Sequence, residues 1–181
     1  MTNFDLQRFA QTAAPEPVKG KNLLYLIRRL SKRTQQAAQV LAFQTEGSRS
    51  ISKDADSVAT KDGTIRVPGA GEVEISVTSL VTKGDGIYED LEEAMKSDDL
   101  MEIWEINTDE EGTATNDGKY KAHYFQGYLT SLEMTANSED FVELSQTYSI
   151  NGMGTTGWAT LSQEQASVVQ YLFTDTAKAD A

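Results

Sequence analysis

The residues that could support catalysis are few. The chain has no cysteine and one histidine, His123, which argues against thiol nucleophiles, thiolate metal sites and histidine-rich metal centres. A hydrolase using carboxylates around His123 is the least favoured function, because no nucleophile motif accompanies this residue. The adjacent carboxylates Glu92 and Glu93 fall in a predicted helix, where sequential neighbours do not face each other. A structural or binding role is therefore favoured over catalysis.

Two segments superficially resemble ligand-binding motifs. Asp54, Asp56 and Asp62 suggest a calcium loop, but the ligand spacing and the closing glutamate of such a loop are absent. Residues 151–157 contain three glycines, but no Lys-Ser/Thr pair follows them and no βαβ pattern surrounds them. The sequence therefore predicts neither a metal site nor a cofactor.

The composition bounds the class of protein. The 181 residues, of which 39% are hydrophobic and 24% charged, are typical of one soluble globular domain. No apolar run approaches the roughly 20 residues that cross a bilayer, and there is no signal-peptide pattern, so we expect a cytoplasmic protein without membrane insertion. Small and polar residues predict a flexible N-terminal arm over residues 1–20 and a C-terminal tail over residues 174–181.

Charge is distributed unevenly along the chain. Residues 1–71 contain 11 basic and 6 acidic residues, a net charge of +5, and residues 72–181 contain 5 and 22, a net charge of −17. Solubilising surface charge would explain this pattern. Head-to-tail association of copies, basic region on acidic region, would also explain it. The total of −12 argues against a nucleic-acid-binding protein.

Residues 119–150 organise the predicted fold. Alternation of apolar and polar residues predicts a long strand with a bend at Gly127, a turn at 137–140 and a return strand with Leu144 and Tyr148 on its apolar face. The apolar face of the long strand is predicted to contain Tyr120, Ala122, Tyr124, Tyr128, Leu132 and Met134. This stretch is therefore predicted to form a long hairpin.

Shorter elements flank the hairpin. Strands are predicted at 39–45, 72–80, 100–106 and 166–173, and residues 87–97 have the apolar stripe of a helix. Residues 22–29 could form a buried strand or begin a basic amphipathic helix that continues to Ala38. The strand is favoured because a polar turn at 31–36 and a partner strand follow it. A polar turn follows the first strand and places a basic cluster there, which we expect to face solvent or another subunit. The cluster consists of Arg28, Arg29, Lys32 and Arg33.

Residues 46–71 have the composition of a long loop. They are rich in Ser, Asp and Gly and contain few large apolar side chains. An unstructured loop of roughly 25 residues is uncommon in a compact domain and usually has a function. We therefore expect an arm that becomes ordered against another subunit.

Several segments together resemble one protein family. They are Gly20-Lys21-Asn22-Leu23-Leu24, residues 41–46 leading into 52–57 and 60–63, Gly118-Lys119-Tyr120, and Ala159-Thr160-Leu161-Ser162. Over residues 19–173 the chain resembles the major tail proteins (tail tube proteins) of long-tailed bacteriophages, specifically the TP901-1-like group from phages of Gram-positive hosts.

The resemblance implies a tail-tube fold, which is a β-sandwich or small barrel of antiparallel strands with one flanking α-helix, as a single domain over residues 21–173. It implies self-assembly in the host cytoplasm into stacked hexameric rings that form the hollow tail tube of the virion. DNA would pass through without specific binding, and the partners would be tape-measure, tail terminator and distal tail proteins. The long inter-strand loop would reach the adjacent ring with Ser48, Arg49, Lys53, Asp54, Asp56, Lys61 and Asp62.

An acidic lumen would repel DNA phosphates and let DNA slide, so we expect part of the acidic region to line the channel. Two alternatives remain open. One is a monomeric β-sandwich module that binds carbohydrate or cell wall, and the other is the tube of a secretion system or tail-like particle. The aromatic side chains that could stack on sugars are Tyr120, Tyr124, Tyr128 and Trp158.

Overall fold

The structure, a computed structural model, describes residues 17–84, 86–162 and 165. Within these residues it contains eight β-strands, one α-helix and three short 3-10 helices. The strands are β1 (Leu23–Arg29), β2 (Gln39–Val40), β3 (Gln44–Thr60), β4 (Gly63–Leu80), β5 (Met101–Glu111), β6 (Tyr120–Thr135), β7 (Glu143–Ile150) and β8 (Thr155–Ala159), and the helix is α1 (Ile87–Lys96). The 3-10 helices are Gly20–Asn22, Leu30–Lys32 and Ala114–Asn116.

The strands form one antiparallel sheet. Their order is β2-β1-β5-β6-β7-β4-β3, and β8 pairs with the first half of β6. The sheet curls until the start of β3 lies against β1, where the backbone N–H of Tyr25 donates to Oε1 of Gln44 at 2.9 Å. The predicted mainly β, antiparallel fold with one flanking helix is confirmed.

Two apolar clusters lie on opposite faces of the sheet. The large cluster is covered by α1, which contributes Ile87, Leu91 and Ala94. Its strand residues include Tyr25, Ile27, Val73, Ile75, Val77, Ile103, Phe125, Leu144 and Tyr148. The smaller cluster consists of Leu24, Leu26, Ile106 and Ala122, with Trp104 and Leu161 packed against it. Alternate residues of β1, β5 and β6 therefore serve different cores.

The predicted long hairpin is confirmed. β6 and β7 pair from Gly127 opposite Ile150 to Thr135 opposite Glu143. At Gly127 the neighbour of β6 changes from β8 to β7, and a Cβ there would meet the backbone of Ser149 and Ile150. Glycine is therefore required at this position by the close approach of two backbones.

The predicted apolar face of β6 is wrong in part. Ala122 is buried, but Tyr128 and Met134 are exposed, and Phe125 and Leu129 of the opposite phase are core residues. The reason is that β6 supplies both apolar clusters, and a register shift after Leu129 then changes the phase of the alternation. The prediction assumed that only one face of β6 is buried, whereas both faces of this strand contribute to a core.

The prediction of a loop at 46–71 is also wrong. β3 and β4 pair throughout this segment and close at Thr60 opposite Gly63. Residues 45–70 are all exposed within the chain, so neither face of this ribbon needs large apolar side chains. Because this strand pair covers no core, its composition resembles that of a loop, and the strands were therefore not predicted.

The remaining predicted elements agree with the structure except at their limits. β1, α1 and the end of β4 lie where they were predicted, whereas β2 contains only two residues and β5 continues to Glu111. β8 follows the turn in the glycine-rich segment and was not predicted. The predicted strand at 166–173 and the predicted terminal arm and tail, apart from residues 17–20, lie outside the described residues.

Candidate functional site

The ribbon formed by residues 54–70, here called the arm, extends beyond the rest of the sheet. The pairing of β4 with β7 ends at Val73 opposite Ile150, so the arm has no third strand beside it. A register shift lies between Lys53 and Ala55, where one residue of β3, Asp54, opposes two residues of β4. This bulge marks the boundary between the sheet and the arm.

The bulge exchanges the two faces of β4. Ile51 lies opposite Val73 on the core side of the sheet, but beyond the bulge Val58 lies opposite Ile65 with Val67 two residues away on the same ribbon face. We call these last three residues the tip face; each is about half exposed. Because no part of the described chain covers it, the tip face is an apolar surface without an intramolecular partner.

The base of the arm is held by a buried polar group. Arg49 of β3 reaches Glu105 of β5 at 3.2 Å and lies over the ring of Phe125. The hydroxyl of Tyr25 donates to the same carboxylate at 3.1 Å. Burial, followed by the charge of Glu105, raises the pKa of Tyr25 well above its usual range. These contacts tie the start of the arm to β1 and β5.

Close packing next to Arg49 fixes the base further. A Cβ on Gly47 would overlap the ring of Tyr25, so only glycine allows β3 to approach β1 this closely. On the opposite strand, a Cβ on Gly71 would meet Met153 and Lys53. The arm therefore begins from a braced base and is free beyond Lys53.

The predicted inter-ring residues divide between these two parts. Ser48, Arg49 and Lys53 belong to the base, where Arg49 is engaged within its own chain. Asp54, Asp56, Lys61 and Asp62 belong to the arm and are exposed. The contact of these residues with another ring stays a prediction.

Arg29, from the predicted basic cluster, is buried against α1. Its guanidinium donates to Asp99 at 2.7 Å, Glu93 at 2.8 Å and Asp90 at 3.3 Å. Burial opposes the charge, but hydrogen bonds to Asp99, Glu93 and Asp90 raise the pKa of Arg29. Lys32 pairs with Asp90 beside it. This network attaches the end of β1 to the helix.

Asp99 is held ionised by the same network. Burial would raise its pKa, but hydrogen bonds from Ser31 at 2.6 Å and from Arg29 lower the pKa below its usual value.

Arg28 and Arg33 lie on the other side of the sheet. Arg28 pairs with Glu102 at 2.8 Å and lies over the indole of Trp104. Tyr124 donates to the same carboxylate at 2.7 Å. Arg33 reaches Glu102 only at 3.9 Å, and its side chain is 64% exposed. Of the four predicted cluster residues, Arg33 is therefore the one most available to another molecule.

These ion pairs account for much of the charge asymmetry in the sequence. Arg28, Arg29, Lys32, Arg33 and Arg49 all belong to the basic region, and every carboxylate they reach lies beyond residue 72. Five of the 11 basic residues of the basic region thus reach their carboxylates within one copy. The asymmetry alone no longer requires a contact between copies.

A broad surface of carboxylates and hydroxyls covers the outer side of β3, β4, β7 and β6. Ser76 bonds Thr147 and Thr78 bonds Ser145, each at 3.1 Å, across neighbouring strands. Register places the carboxylates of this surface, which we call the acidic face, at Glu46, Glu72, Glu74, Glu133 and Glu143. In these described strand segments (46–52, 72–80, 128–135 and 143–149) no Lys or Arg occurs on this face.

Sequence similarity to known proteins identifies the family of this chain. Residues 17–155 match the model of a family described as phage tail tube protein. The chain belongs to the phage tail tube protein family. A putative tail protein of Staphylococcus phage phiMR25 is 33% identical over 147 residues, covering 80% of this chain and 76% of that protein. Members of this family are structural proteins of the tail tube, which confirms the predicted structural role.

Solved structures show the same tail tube fold. The tail tube of phage SPP1 aligns with a TM-score of 0.70 at 19% identity, covering 91% of this chain and 95% of that chain. The tail of a gene transfer agent, determined with C6 symmetry, aligns with a TM-score of 0.58 at 16% identity, covering 77% of this chain and 98% of that one. Assignment to the TP901-1-like group stays a prediction.

The residues considered for other chemistry do not converge in this tail tube protein. His123 stacks on Phe125, and Thr156 Oγ1 lies 3.2 Å from its Nδ1. Trp158 and Tyr128 belong to different strands and lie opposite Lys121 and Ser149, on opposite faces of β6. The aromatic residues proposed for sugar stacking therefore do not form one platform.

Among the helices of the described part of the chain, none is long and apolar enough to cross a bilayer. The sequence did not single out Glu102 and Glu105, two buried carboxylates three residues apart on opposite faces of β5. Their place in an otherwise apolar run was the available indication, because buried charges are paired.

Proposed function

We propose that copies of this chain close into six-membered rings that stack into the hollow tail tube of a phage virion, through which DNA passes to the host. The observation that carries this proposal is the family match over residues 17–155. The six-fold symmetry of the gene transfer agent tail supports the ring size. Assembly would take place in the host cytoplasm, and we assign the chain no catalytic role.

Ring closure would satisfy the open edges of the sheet. Strand β3, 17 residues long, ends the sheet on one side, and the two-residue β2 ends it on the other. A long exposed edge promotes uncontrolled pairing unless another strand or subunit covers it. A closed ring covers every such edge once, so assembly removes the hazard.

The arm would provide contact between rings. It is exposed on both faces, carries an uncovered apolar tip face and is held firmly at its base by Arg49 and Gly47. Because the base already holds the arm in one direction, less conformational entropy is lost when the arm binds another ring. Asp54, Asp56, Lys61 and Asp62 would lie at this contact, and Arg33 would contribute to a subunit interface.

The acidic face would line the lumen. Its carboxylates and hydroxyls lie on one side of four adjacent strands, and no Lys or Arg side chain lies among them in these strand segments. Carboxylates repel phosphate, whereas a basic wall would retain DNA through release of counterions. The hydroxyls form hydrogen bonds with water and do not attract the DNA phosphates.

Further partners follow from the resemblance. We infer that tape-measure protein occupies the tube during assembly, and that terminator and distal tail proteins bind its ends. A tail-like particle or secretion tube would use the same contacts.

The proposal is tested by negative-stain electron microscopy of the purified chain at rising concentration, with light scattering on the same samples. We expect rings or hollow tubes, alone or when seeded with tail-tip complexes. A protein that stays monomeric under both conditions would refute the tube, and glycan binding would then be measured instead.

A further inference from the structure

Two exposed aromatic residues lie at the end of the sheet opposite the arm, one on each side of β4. The backbone N–H of Leu80 donates to the carbonyl of Phe43, and that of Val81 donates to Val142, the residue after Phe141. These hydrogen bonds hold Phe43 and Phe141 beside the last residues of β4. Their side chains are 63% and 77% exposed. We call Phe43 and Phe141 the far-end patch.

The backbone of Phe43 is constrained in an unusual conformation. Its φ of 50° lies in the left-handed region, which bulky side chains rarely adopt. Residues held in this region often occur where surrounding structure fixes a side chain for a contact. Here the conformation holds a large aromatic side chain that stays 63% exposed.

The tip face lies at the other end of the molecule. Val58 is 44% exposed, Ile65 52% and Val67 45%. The arm around them carries Asp54, Asp56 and Asp62 against Lys61 and Arg66, so its net charge is close to zero. An almost neutral, apolar surface binds an apolar partner more favourably than a charged one.

The two apolar surfaces of one copy cannot meet. β3 alone has 17 residues between the far end and the closing turn, which corresponds to roughly 55 Å of extended strand. Their contact therefore requires two copies arranged head to tail.

We propose that the tip face of one copy docks on the far-end patch of a second copy in the next ring. This inference rests on the proposed tube and specifies its axial contact. Each copy has one tip face and one far-end patch, so the contact is heterologous and continues along an axis without closing. Apolar burial drives this contact, and no pairing of the basic cluster with the acidic region is needed.

The chain has no cysteine, which allows a direct test by cross-linking. Val58→Cys is combined with Phe43→Cys in one protein and with Phe141→Cys in another, and each is treated with a short bismaleimide after assembly. The matched controls carry Ala59→Cys in place of Val58→Cys, because Ala59 is adjacent but points to the opposite ribbon face. Val58→Cys alone is a further control. Tubes are counted by electron microscopy in every sample.

We expect a ladder of dimers, trimers and longer chains from at least one Val58→Cys protein, at least ten-fold stronger than from its Ala59→Cys control. Tubes without a ladder would overturn the docking site and leave the tube intact. Equal ladders from the controls would overturn the tip face. A cross-linked monomer, or a dimer from Val58→Cys alone, would show intramolecular or arm-to-arm contact and would also overturn it. Absence of tubes from the unmodified chain would refute the proposed function, and this inference with it.

Discussion

Gln146 and Tyr148 form a polar pair inside the large apolar cluster. The hydroxyl of Tyr148 donates to Oε1 of Gln146, and burial raises the pKa of Tyr148. Nε2 of Gln146 is buried without a hydrogen-bond partner among the described residues. A buried donor without an acceptor costs free energy that the pair only partly offsets.

We expect Tyr148→Phe to lower the free energy of unfolding by about 1–2 kcal/mol, because it leaves both polar atoms of Gln146 without a partner. Gln146→Leu combined with Tyr148→Phe should restore the wild-type value or exceed it, since no buried polar atom remains. Denaturant unfolding of both single variants and the double variant gives the coupling energy. Additive losses would contradict the pairing.

Asp99 provides a pH-dependent contribution to stability. Its folded-state pKa is lowered, so the contribution is present above the ordinary carboxyl pKa of about 3.9 and is lost as the pH falls towards the folded-state value. Asp99→Asn should therefore lower the free energy of unfolding by about 2 kcal/mol at pH 7. The difference from the wild type should shrink below about pH 4.

Thermal or denaturant unfolding from pH 7 to pH 3 checks this prediction. Asp117→Asn, which changes an exposed carboxylate, is the matched control and should cost little at any pH. A difference for Asp99→Asn that stays constant across this range would show that its ion pair with Arg29 does not contribute in solution.

At the scale of elements, the arm is separable from the domain that carries it. Lys53 and Gly71 are paired across the ribbon, and residues 54–70 are exposed throughout. Replacing residues 54–70 by Asn-Gly would join these partners through a two-residue hairpin turn. We expect the circular dichroism to indicate an intact fold and the melting temperature to change by only a few degrees.

The same variant should fail to form tubes at concentrations where the wild type assembles, as measured by light scattering and electron microscopy. Rings would still be expected, because residues 44–53 of the edge strand β3 remain in place. Normal tubes from this variant would exclude the arm as the contact between rings.

At the scale of the whole molecule, the position of the carboxylates is expected to determine how fast DNA passes through the tube. Glu74→Lys with Glu133→Lys reverses two carboxylates of the acidic face without touching either apolar cluster. Tubes should form normally, but DNA ejection from virions carrying the variant should slow, most strongly at low salt.

Glu111→Lys is the control for this experiment, because Glu111 is exposed at the end of β5, outside the acidic face. Its ejection rate should equal that of the wild type. If the acidic-face variant also ejects DNA at the wild-type rate, these carboxylates do not line the channel.

The local pattern of the sequence was sufficient for the elements that bury a face. Alternation predicted the end of β4 and the β6–β7 hairpin, an apolar run before a polar turn predicted β1, and the apolar stripe of α1 predicted the helix. These patterns arise because each element covers a core with a fixed period. Residue pattern could not predict the arm as strands, because the arm buries nothing within its own chain.

Tertiary structure alone decided where the charges and apolar surfaces meet. Arg29 lies 70 residues from Asp99, and Arg49 pairs with Glu105 from a different strand. The acidic face combines four strands, and the far-end patch combines residues from two distant turns. The sequence by itself determined the family, the periodic elements and the total charge, because these depend on local order. The fold decided which charges cancel within a copy and which surfaces remain for assembly, because these depend on distances between residues remote in sequence.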